Sequence, residues 1–464
     1  MHPASGNQLA NHSSKGGHLR TRIAIAFGIC LASSSVLLNA QQTFPPVSTT
    51  LAPATQSVPI TLDEAITRAR ANEPAFASAY AASRVAALDR SIARAALLPN
   101  AIYHNQYLYT QPADAAAITP TPRFIANNAV HEYTSQGVVN EILGLQQFTA
   151  LSRASAAAAV ASAQLEIARR GLVSTVVGLF YGTLAADRKV VIAQRAAGEA
   201  SSFSTLTQRR ESAREVAHAD VIKALLQQQQ RNRDLADATL LAQKARLDLA
   251  VLLFPDPRSP YTLTAPARPS LAPRAEVEAA AGKLNPELQS ALASLRVSNL
   301  DIVAAKAAYL PDLGLNFAYG IDATQFAARG PDGVPNLGYS ATATLDIPIW
   351  NWFSTQHKIR QSQILRDAAR INLTATQRRL IAQLEEFYAE AELAGTQLQS
   401  LEDSVATALE SLRLTRLRYT AGEATVLEVV DAQTSLTITE LAHEDGTVRY
   451  QTALANLQML TGTI

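Results

Sequence analysis

The chain has 464 residues, 48% hydrophobic and 17% charged, with a formal net charge of +1. That length allows a large core, and the near-neutral balance excludes the strongly basic footprint of a nucleic-acid partner. The single cysteine, Cys30, lies near the N-terminus, so the rest of the chain offers no disulfide, thiol nucleophile or thiolate metal site.

At the N-terminal end, Arg20 and Arg22 precede the apolar run IAIAFGICLASSSVLL at 23–38, and Leu38-Asn39-Ala40 precede Gln41. A basic region, a short apolar core and a small residue before a break predict a secretory signal peptide over 1–40, cleaved after Ala40. The n-region is long, so a true start downstream of Met1 is the expectation. The apolar run falls short of the ~20 residues a spanning helix needs; an uncleaved anchor is the alternative. A lipoprotein is disfavoured because Ile29 precedes Cys30, where a small residue is expected. No other segment approaches the length of a transmembrane helix, so membrane insertion of the mature chain must use strands. Residues 41–59 read as an N-terminal linker.

The remainder repeats itself. Residues 418–436, RYTAGEATVLEVVDAQTSL, have a worn copy at 210–228, RESAREVAHADVIKALLQQ. Arg210, Glu215, Asp220 and Val221 match Arg418, Glu423, Glu428 and Val429 at an offset of 208 residues. Asn72-Glu73-Pro74 is followed by Leu97-Leu98-Pro99, and Asn285-Pro286-Glu287 by Tyr309-Leu310-Pro311, with 25 residues between the prolines of each half. Duplication of this kind predicts a duplicated structure.

In chain order, alanine-rich stretches at 75–96 and 287–308 predict helices, and the proline closing each opens an extended segment. In AIYHNQYLYT (101–110), Tyr103, Tyr107 and Tyr109 share one face by the period of two. In LGLNFAYGI (313–321), Leu313, Leu315, Phe317 and Tyr319 do the same. Turn-rich loops follow, at 111–130 with Pro112, Pro120 and Pro122, and at 322–336 with Gly330, Pro331, Gly333 and Pro335. Each loop leads to a second alternating run, 131–143 or 337–349, which is a hairpin pattern.

The long helices come next. Residues 353–417 contain no proline, and Leu380, Leu384, Phe387, Ala391, Ala394, Leu398, Leu401, Val405, Ala408 and Leu412 recur at steps of four and three. That is a coiled-coil seam, reaching about 100 Å at ~1.5 Å per residue. Residues 146–208 repeat it, and 217–253 and 425–461 return after breaks at about 209–217 and 418–425. The resulting plan is a first repeat over 60–254, a linker over 255–273 with six prolines, and a second repeat over 274–464.

Four strands of about ten residues cannot close a barrel, and an unpaired edge leaves polar backbone in hydrocarbon. Outer-membrane barrels begin at about eight strands, so several chains would have to pool theirs. The alternative is a soluble sheet at the end of a coiled coil. Here the chain resembles the TolC-like outer-membrane efflux protein family over about 60–462. The resemblance rests on ITLDEAITRARANEP, the two helix-to-proline units, TLDIPIWNWF, RYTAGEATVLEVVDAQTSL and the closing Tyr450, Leu457, Leu460 and Gly462. It implies a mainly α fold with a transmembrane β-barrel part. Three protomers would contribute four strands each to a trimeric 12-stranded barrel, continued by a periplasmic coiled-coil tunnel. Both repeats would be outer-membrane efflux repeats, with their tips at the breaks.

Glu428 and Asp431 lie on one helix face at i and i+3. An ordinary solvated face is the bland reading; the resemblance implies a selectivity gate, a ring of carboxylates that focuses a negative field and favours cations. Tyr419 and Asp220 match family positions that latch the tip, where a phenol–carboxylate bond of about 1–2 kcal/mol is weak enough to open. Ala424 stands where the latch has arginine. Arg214 stands where the first tip has glycine, and is a candidate substitute latch partner. Gly422, Glu423, Thr425 and Glu215 form the tip where an adaptor would dock. Trp350 and Trp352, with Tyr103, Tyr107, Tyr109, Phe317 and Tyr319, suit a membrane interface; equatorial packing between protomers is the alternative for the two tryptophans.

No catalytic constellation stands out. His104, His131, His218, His357 and His443 fall on different elements without metal-ligand spacing, and GxSxG, P-loop and GxGxxG patterns are absent. The expectation is a non-enzymatic exit duct without a cofactor, in the outer membrane and its lipid. It would serve a tripartite efflux or type I secretion system with a periplasmic adaptor and an inner-membrane pump. The rival is a periplasmic coiled-coil scaffold or adaptor that never inserts.

Overall fold

The computed structural model describes residues 57–111 and 130–462. The expected signal peptide, the linker through Gln56 and most of the 111–130 loop, including Pro112, Pro120 and Pro122, lie outside the described residues. The first half runs β1 (Val58–Ile60), α1 (Leu62–Asn72), α2 (Pro74–Ala95), β2 (Asn100–Tyr109), β3 (His131–Leu143), α3 (Leu145–Ser212) and α4 (His218–Leu253). The second runs β4 (Tyr261–Leu263), α5 (Arg274–Leu284), α6 (Pro286–Ala307), β5 (Asp312–Ala323), β6 (Leu337–Asp346), α7 (Ser354–Thr420) and α8 (Val426–Thr461).

Local chemistry explains the helix starts. Thr61 caps α1 through its hydroxyl, which accepts from the Glu64 amide at 3.3 Å. Pro74 and Pro286 occupy the first helical turn, where a missing N–H costs nothing. Asn285 completes the start of α6 by accepting from the Leu288 amide at 2.9 Å. The expected strand over 337–349 stops at Asp346, opposite Asp312 at the start of β5, and Pro348 has no N–H to extend a ladder.

Two segments read as linkers carry structure. Val58–Ile60 and Tyr261–Leu263 pair in parallel, Val58 opposite Tyr261 and Ile60 opposite Leu263. Ile60 and Tyr261 are buried in a core with Phe180, Val176, Leu249, Leu253 and Phe254. This small sheet ties the start of the first repeat to the segment between repeats.

The other sheet has the order β2-β3-β5-β6, all antiparallel, with β3 against β5 joining the two halves. Its edges, β2 and β6, have no partner strand among the described residues. The long helices form a row, α4 beside α3, α3 beside α8 and α8 beside α7. The α7 seam packs on α8: Leu384, Ala391, Ala394 and Leu398 share a core with Tyr450, Leu454, Leu457 and Leu460. At 68 and 67 residues, α3 and α7 each extend about 100 Å. No described helix is long and apolar enough to cross a membrane.

Candidate functional site

The tips of the two hairpins share one turn. In the second, the Gly422 amide donates to the Tyr419 carbonyl at 3.1 Å and the Glu423 amide to the Arg418 carbonyl at 2.8 Å. In the first, the Arg214 amide donates to the Glu211 carbonyl at 2.8 Å and the Glu215 amide to the Arg210 carbonyl at 2.8 Å. This helix-ending motif needs a left-handed residue. Gly422 supplies it at φ 83° and Arg214 at φ 62°. Arginine therefore does not abolish the first turn; it holds the same conformation with a side chain attached.

Thr425 and Glu428 form a capping box at the start of α8. The Glu428 amide donates to the Thr425 hydroxyl at 3.3 Å, and the Thr425 amide donates back to Glu428 Oε1 at 3.0 Å. Arg418 Nη1 lies 3.3 Å from the other carboxylate oxygen, Oε2. The bond from the Thr425 amide, then that from its hydroxyl, with help from Arg418, hold the Glu428 carboxyl below its usual range. The gate candidate is thus also the cap of its own helix, a role written in the sequence as Thr-x-x-Glu. Ala217 begins α4 without a side-chain cap, so the first tip has no such box. Asp431 is exposed, one turn further along α8, and has no ionic partner among the described residues.

The expected bond between Tyr419 and Asp220 is not formed within the chain. Tyr419 is buried against Phe203, with ring centroids 5.2 Å apart, and its Oη is buried without a hydrogen-bond partner. Asp220 lies 3.9 Å from Lys223 on its own helix. The residue that joins the two tips is Arg210. Its Nη1 donates to the Tyr419 carbonyl at 2.8 Å and its Nη2 to the Thr420 carbonyl at 3.0 Å. Its guanidinium sits 4.6 Å from the Tyr419 ring centroid, while Glu215 stands 3.7 Å from Nε. Sequence comparison of the halves singles out Arg210 as the match of Arg418, but nothing local indicates that it reaches across to α7.

The sheet has two chemically distinct faces. Directly paired residues share a face, so the register groups Tyr103, Tyr107 and Tyr109 with Gly137, Tyr133 and His131. The chain of pairs continues to Tyr319, Phe317 and Leu315 on β5 and to Tyr339, Ala341 and Ala343 on β6. All five strand aromatics read from the sequence lie on this apolar face and are exposed in the single chain. Its main polar cluster is internally bonded: Tyr103 Oη lies 2.7 Å from Ser135 Oγ, and Ser135 donates to Asn105 at 2.8 Å. The opposite face carries His104, Gln106, Thr134, Gln136, Asn140, Asn316, Ser340, Thr342 and Thr344. Trp350 and Trp352 meet edge-on at 5.9 Å after the end of β6. Trp352 and Phe353 both have left-handed φ, 54° and 62°, a strained junction for bulky residues.

Residues 279–463 match the model of the Outer membrane efflux protein family. Outer membrane protein OprJ of Pseudomonas aeruginosa is 26% identical over 172 residues, 37% of this chain and 36% of that protein. The Pyoverdine export outer membrane protein OpmQ of Pseudomonas putida is 28% identical over 217 residues, 46% of this chain and 42% of that one. The chain thus spans less than half the length of these curated relatives. In fold it is similar to the CmeC outer membrane channel of Campylobacter jejuni, with a TM-score of 0.72, 15% identity and coverage of 86% of this chain and 85% of that one. The second half of the chain thus matches the outer membrane efflux protein family, and the duplicated fold is similar to that of an outer-membrane channel.

Proposed function

We propose that this protein is an outer-membrane exit duct that conducts solutes passively across the periplasm and outer membrane for a tripartite efflux or type I secretion system. The observation that carries the reading is the two-faced, open-edged sheet. One face is aromatic and apolar, the other hydrophilic, and β2 and β6 are edges without a partner strand among the described residues. In lipid such a sheet must close. Three copies pairing β6 of one with β2 of the next give a closed barrel with lipid outside and water inside. The same closure sets the flanking helices α4 and α7 of adjacent copies side by side. Exposed Leu226, Leu240, Leu241 and Val251 on α4, and Ile364, Ile371, Leu409 and Leu417 on α7, supply apolar surface for that seam.

In this reading the duct performs no chemistry and uses no cofactor. A pump in the inner membrane supplies energy, and a periplasmic adaptor docks at the hairpin tips around Gly422, Glu423, Thr425 and Glu215. Asp431, exposed and unpaired, carries the free charge of the gate, while Glu428 is partly neutralised by Arg418. Arg210 takes the latch role first assigned to Tyr419 and Asp220. The deciding measurement is the mass of the particle extracted with detergent from the membrane fraction, after subtracting the detergent. Three chains per particle support the duct; a monomer released without detergent makes the protein a periplasmic scaffold.

A further inference from the structure

The helix segments that adjoin the four-stranded sheet carry a concentrated positive charge. Residues 84–98, 145–161, 296–310 and 354–370 hold ten lysines and arginines against three acids. That is a net of +7 in a chain whose total is +1, so the charge is segregated toward one end of the shaft. Two of the three acids are already engaged, Asp301 with Arg153 and Asp367 with Arg366. Nearer the tips, by contrast, Arg188, Arg195 and Arg416 pair with Glu444, Glu440 and Glu199.

Part of the excess is ordered as two matching stripes. On α2 and the turn that ends it, Arg84, Ser91, Arg94 and Leu98 recur at steps of seven, three and four. That spacing puts them on one flank of the helix, and all four are exposed. On α6, Arg296, Val303, Lys306 and Leu310 repeat the same flank and are also exposed. The offset of 212 residues is the one that relates Pro99 to Pro311, so the duplication carries the charges with it. Arg84, Arg94, Arg296 and Lys306 have no ionic partner among the described residues. Arg90 and Arg94 also edge a groove of about 490 Å³ between α2 and α3, with Leu151 and Ala158 on the α3 side.

The stripes have two levels. Arg94 and Lys306 each stand six residues before a strand, ahead of Asn100 and Asp312, which is roughly 9 Å along a helix. A headgroup layer is about 5–8 Å deep on each side of the hydrocarbon, so these long side chains reach it. Exposed Trp350 and Trp352 mark the same end of the sheet, and aromatic rings favour that boundary. Arg84 and Arg296 lie about 15 Å further away, beyond the Debye length of ~10 Å at 0.1 M salt.

We propose that this collar binds anionic phospholipid of the leaflet facing the periplasm, with Arg94, Arg90 and Lys306 holding headgroup phosphates. The proposal rests on the duct reading, which puts the sheet in the membrane. A guanidinium meets phosphate oxygens through paired N–H donors, and the groove beside Arg90 and Arg94 seats the headgroup. Leu98 and Leu310, one turn nearer the sheet, face the start of the hydrocarbon. Attraction between such cations and an anionic lipid surface falls off within a Debye length, so the first level binds and the second does not. In a trimer the stripe recurs six times around the shaft.

The test uses the whole channel, purified in an uncharged detergent, and follows its thermal midpoint as phosphatidylglycerol or phosphatidylcholine is added. A ligand bound by the native state alone raises the midpoint. Phosphatidylglycerol should raise it by several degrees and phosphatidylcholine by little, with the difference shrinking as salt is added. Arg94→Gln with Lys306→Gln should lose most of the phosphatidylglycerol response. Arg84→Gln with Arg296→Gln removes the same charge at the second level and should keep it. The salt dependence of the native protein supports the collar without any substitution. Equal responses to the two lipids overturn the collar, as does a full response in Arg94→Gln with Lys306→Gln. Soluble glycerol phosphate that reproduces the shift overturns the lipid reading and leaves a site for free phosphate. A monomer released without detergent overturns the duct reading, whereas a stable trimer indifferent to phosphatidylglycerol overturns the collar alone.

Discussion

Arg210 spans from the first hairpin tip to the second, with its guanidinium 4.6 Å from the centre of the Tyr419 ring and its two terminal nitrogens donating to the carbonyls of Tyr419 and Thr420. It thereby places a positive charge at the C-terminal end of α7, where orphan carbonyls and the helix dipole favour a cation. Arg418, its repeat counterpart, instead serves its own tip, donating to the Glu423 carbonyl at 3.1 Å and pairing with Glu428.

Removing this bridge should loosen the tip. Hydrogen bonds to a charged donor contribute about 1.5–3 kcal/mol and a cation–π contact about 0.5–1. Arg210→Ala is expected to weaken inter-hairpin coupling by about 2 kcal/mol and to raise the resting open fraction in single-channel recordings. Arg210→Lys should be intermediate, since an ammonium cannot reach both carbonyls with a planar fork. Recordings of Arg210→Ala indistinguishable from the native channel would remove Arg210 as the latch.

Tyr419→Phe has the opposite expectation. Tyr419 Oη is enclosed within the chain without a partner, so a neighbouring protomer cannot reach it in this packing. Deleting an unsatisfied buried hydroxyl removes a desolvation penalty. Stability and resting conductance should stay unchanged, or stability rise by up to about 1 kcal/mol. A clear increase in conductance would restore the phenol as a latch.

The paired left-handed residues give a reciprocal test. A side chain at φ near +60° costs about 1 kcal/mol relative to glycine. Arg214→Gly should therefore raise the thermal midpoint, and Gly422→Ala should lower it by a similar increment. A Cβ at Gly422 meets no atom within 4 Å, so the cost there is one of backbone conformation alone. Equal and negligible shifts in both variants would mean that the two turns do not hold these angles in solution.

Glu428 combines a cap and a charge, and the two separate by substitution. Glutamine is accepted at the third position of a capping box, so Glu428→Gln should keep stability within about 0.5 kcal/mol while lowering cation preference. Thr425→Ala should cost about 1 kcal/mol and leave selectivity near native. Thermal melts and reversal potentials on the two variants distinguish the roles; the same pattern from both would defeat the separation.

Glu166 predicts an acid limb. Arg169 Nη2 and Nε reach its two oxygens at 2.7 and 2.8 Å, and Arg170 Nε reaches one at 2.7 Å. Hydrogen bonding from Arg169, aided by Arg170, lowers its carboxyl to about 2, against an ordinary value of ~4.3. A lowered native value means the stabilisation is complete above the unfolded value and fades as pH falls toward about 2. With the side chain 31% exposed, screening limits the contribution to about 1 kcal/mol. Glu166→Gln should therefore be less stable at neutral pH, with the difference shrinking below about pH 4 and closing only as pH falls to about 2. A constant difference across that range would count against the pairing.

Much of the local architecture was readable because its causes are local. Pro74, Pro99, Pro286 and Pro311 mark helix boundaries through their missing N–H, and the alternation of Tyr103, Tyr107 and Tyr109 marks a strand face through the pleat. The α7 seam from Leu380 to Leu412 is visible because its steps follow helical geometry. Thr425 and Glu428 also stand in the sequence with the Thr-x-x-Glu spacing of a capping box. The three-residue strands β1 and β4 were not readable: they are too short for any period, and they exist because each pairs with the other across some 200 residues of chain.

What the sequence by itself determined is the duplicated order of helices and strands, since propensity, proline placement and hydrophobic period act over a few neighbouring residues. What only the tertiary structure decided is which of those pieces face one another. Alternation cannot say that Tyr103 and Tyr319 share a side of the sheet, because each strand has two faces and register alone matches them. Repeat matching cannot say that Arg210 and Arg418 do different work, because identical residues acquire different partners once the C-terminal ends of α3 and α7 meet at the tips. Long-range packing sets those distances, and it depends on the whole chain at once.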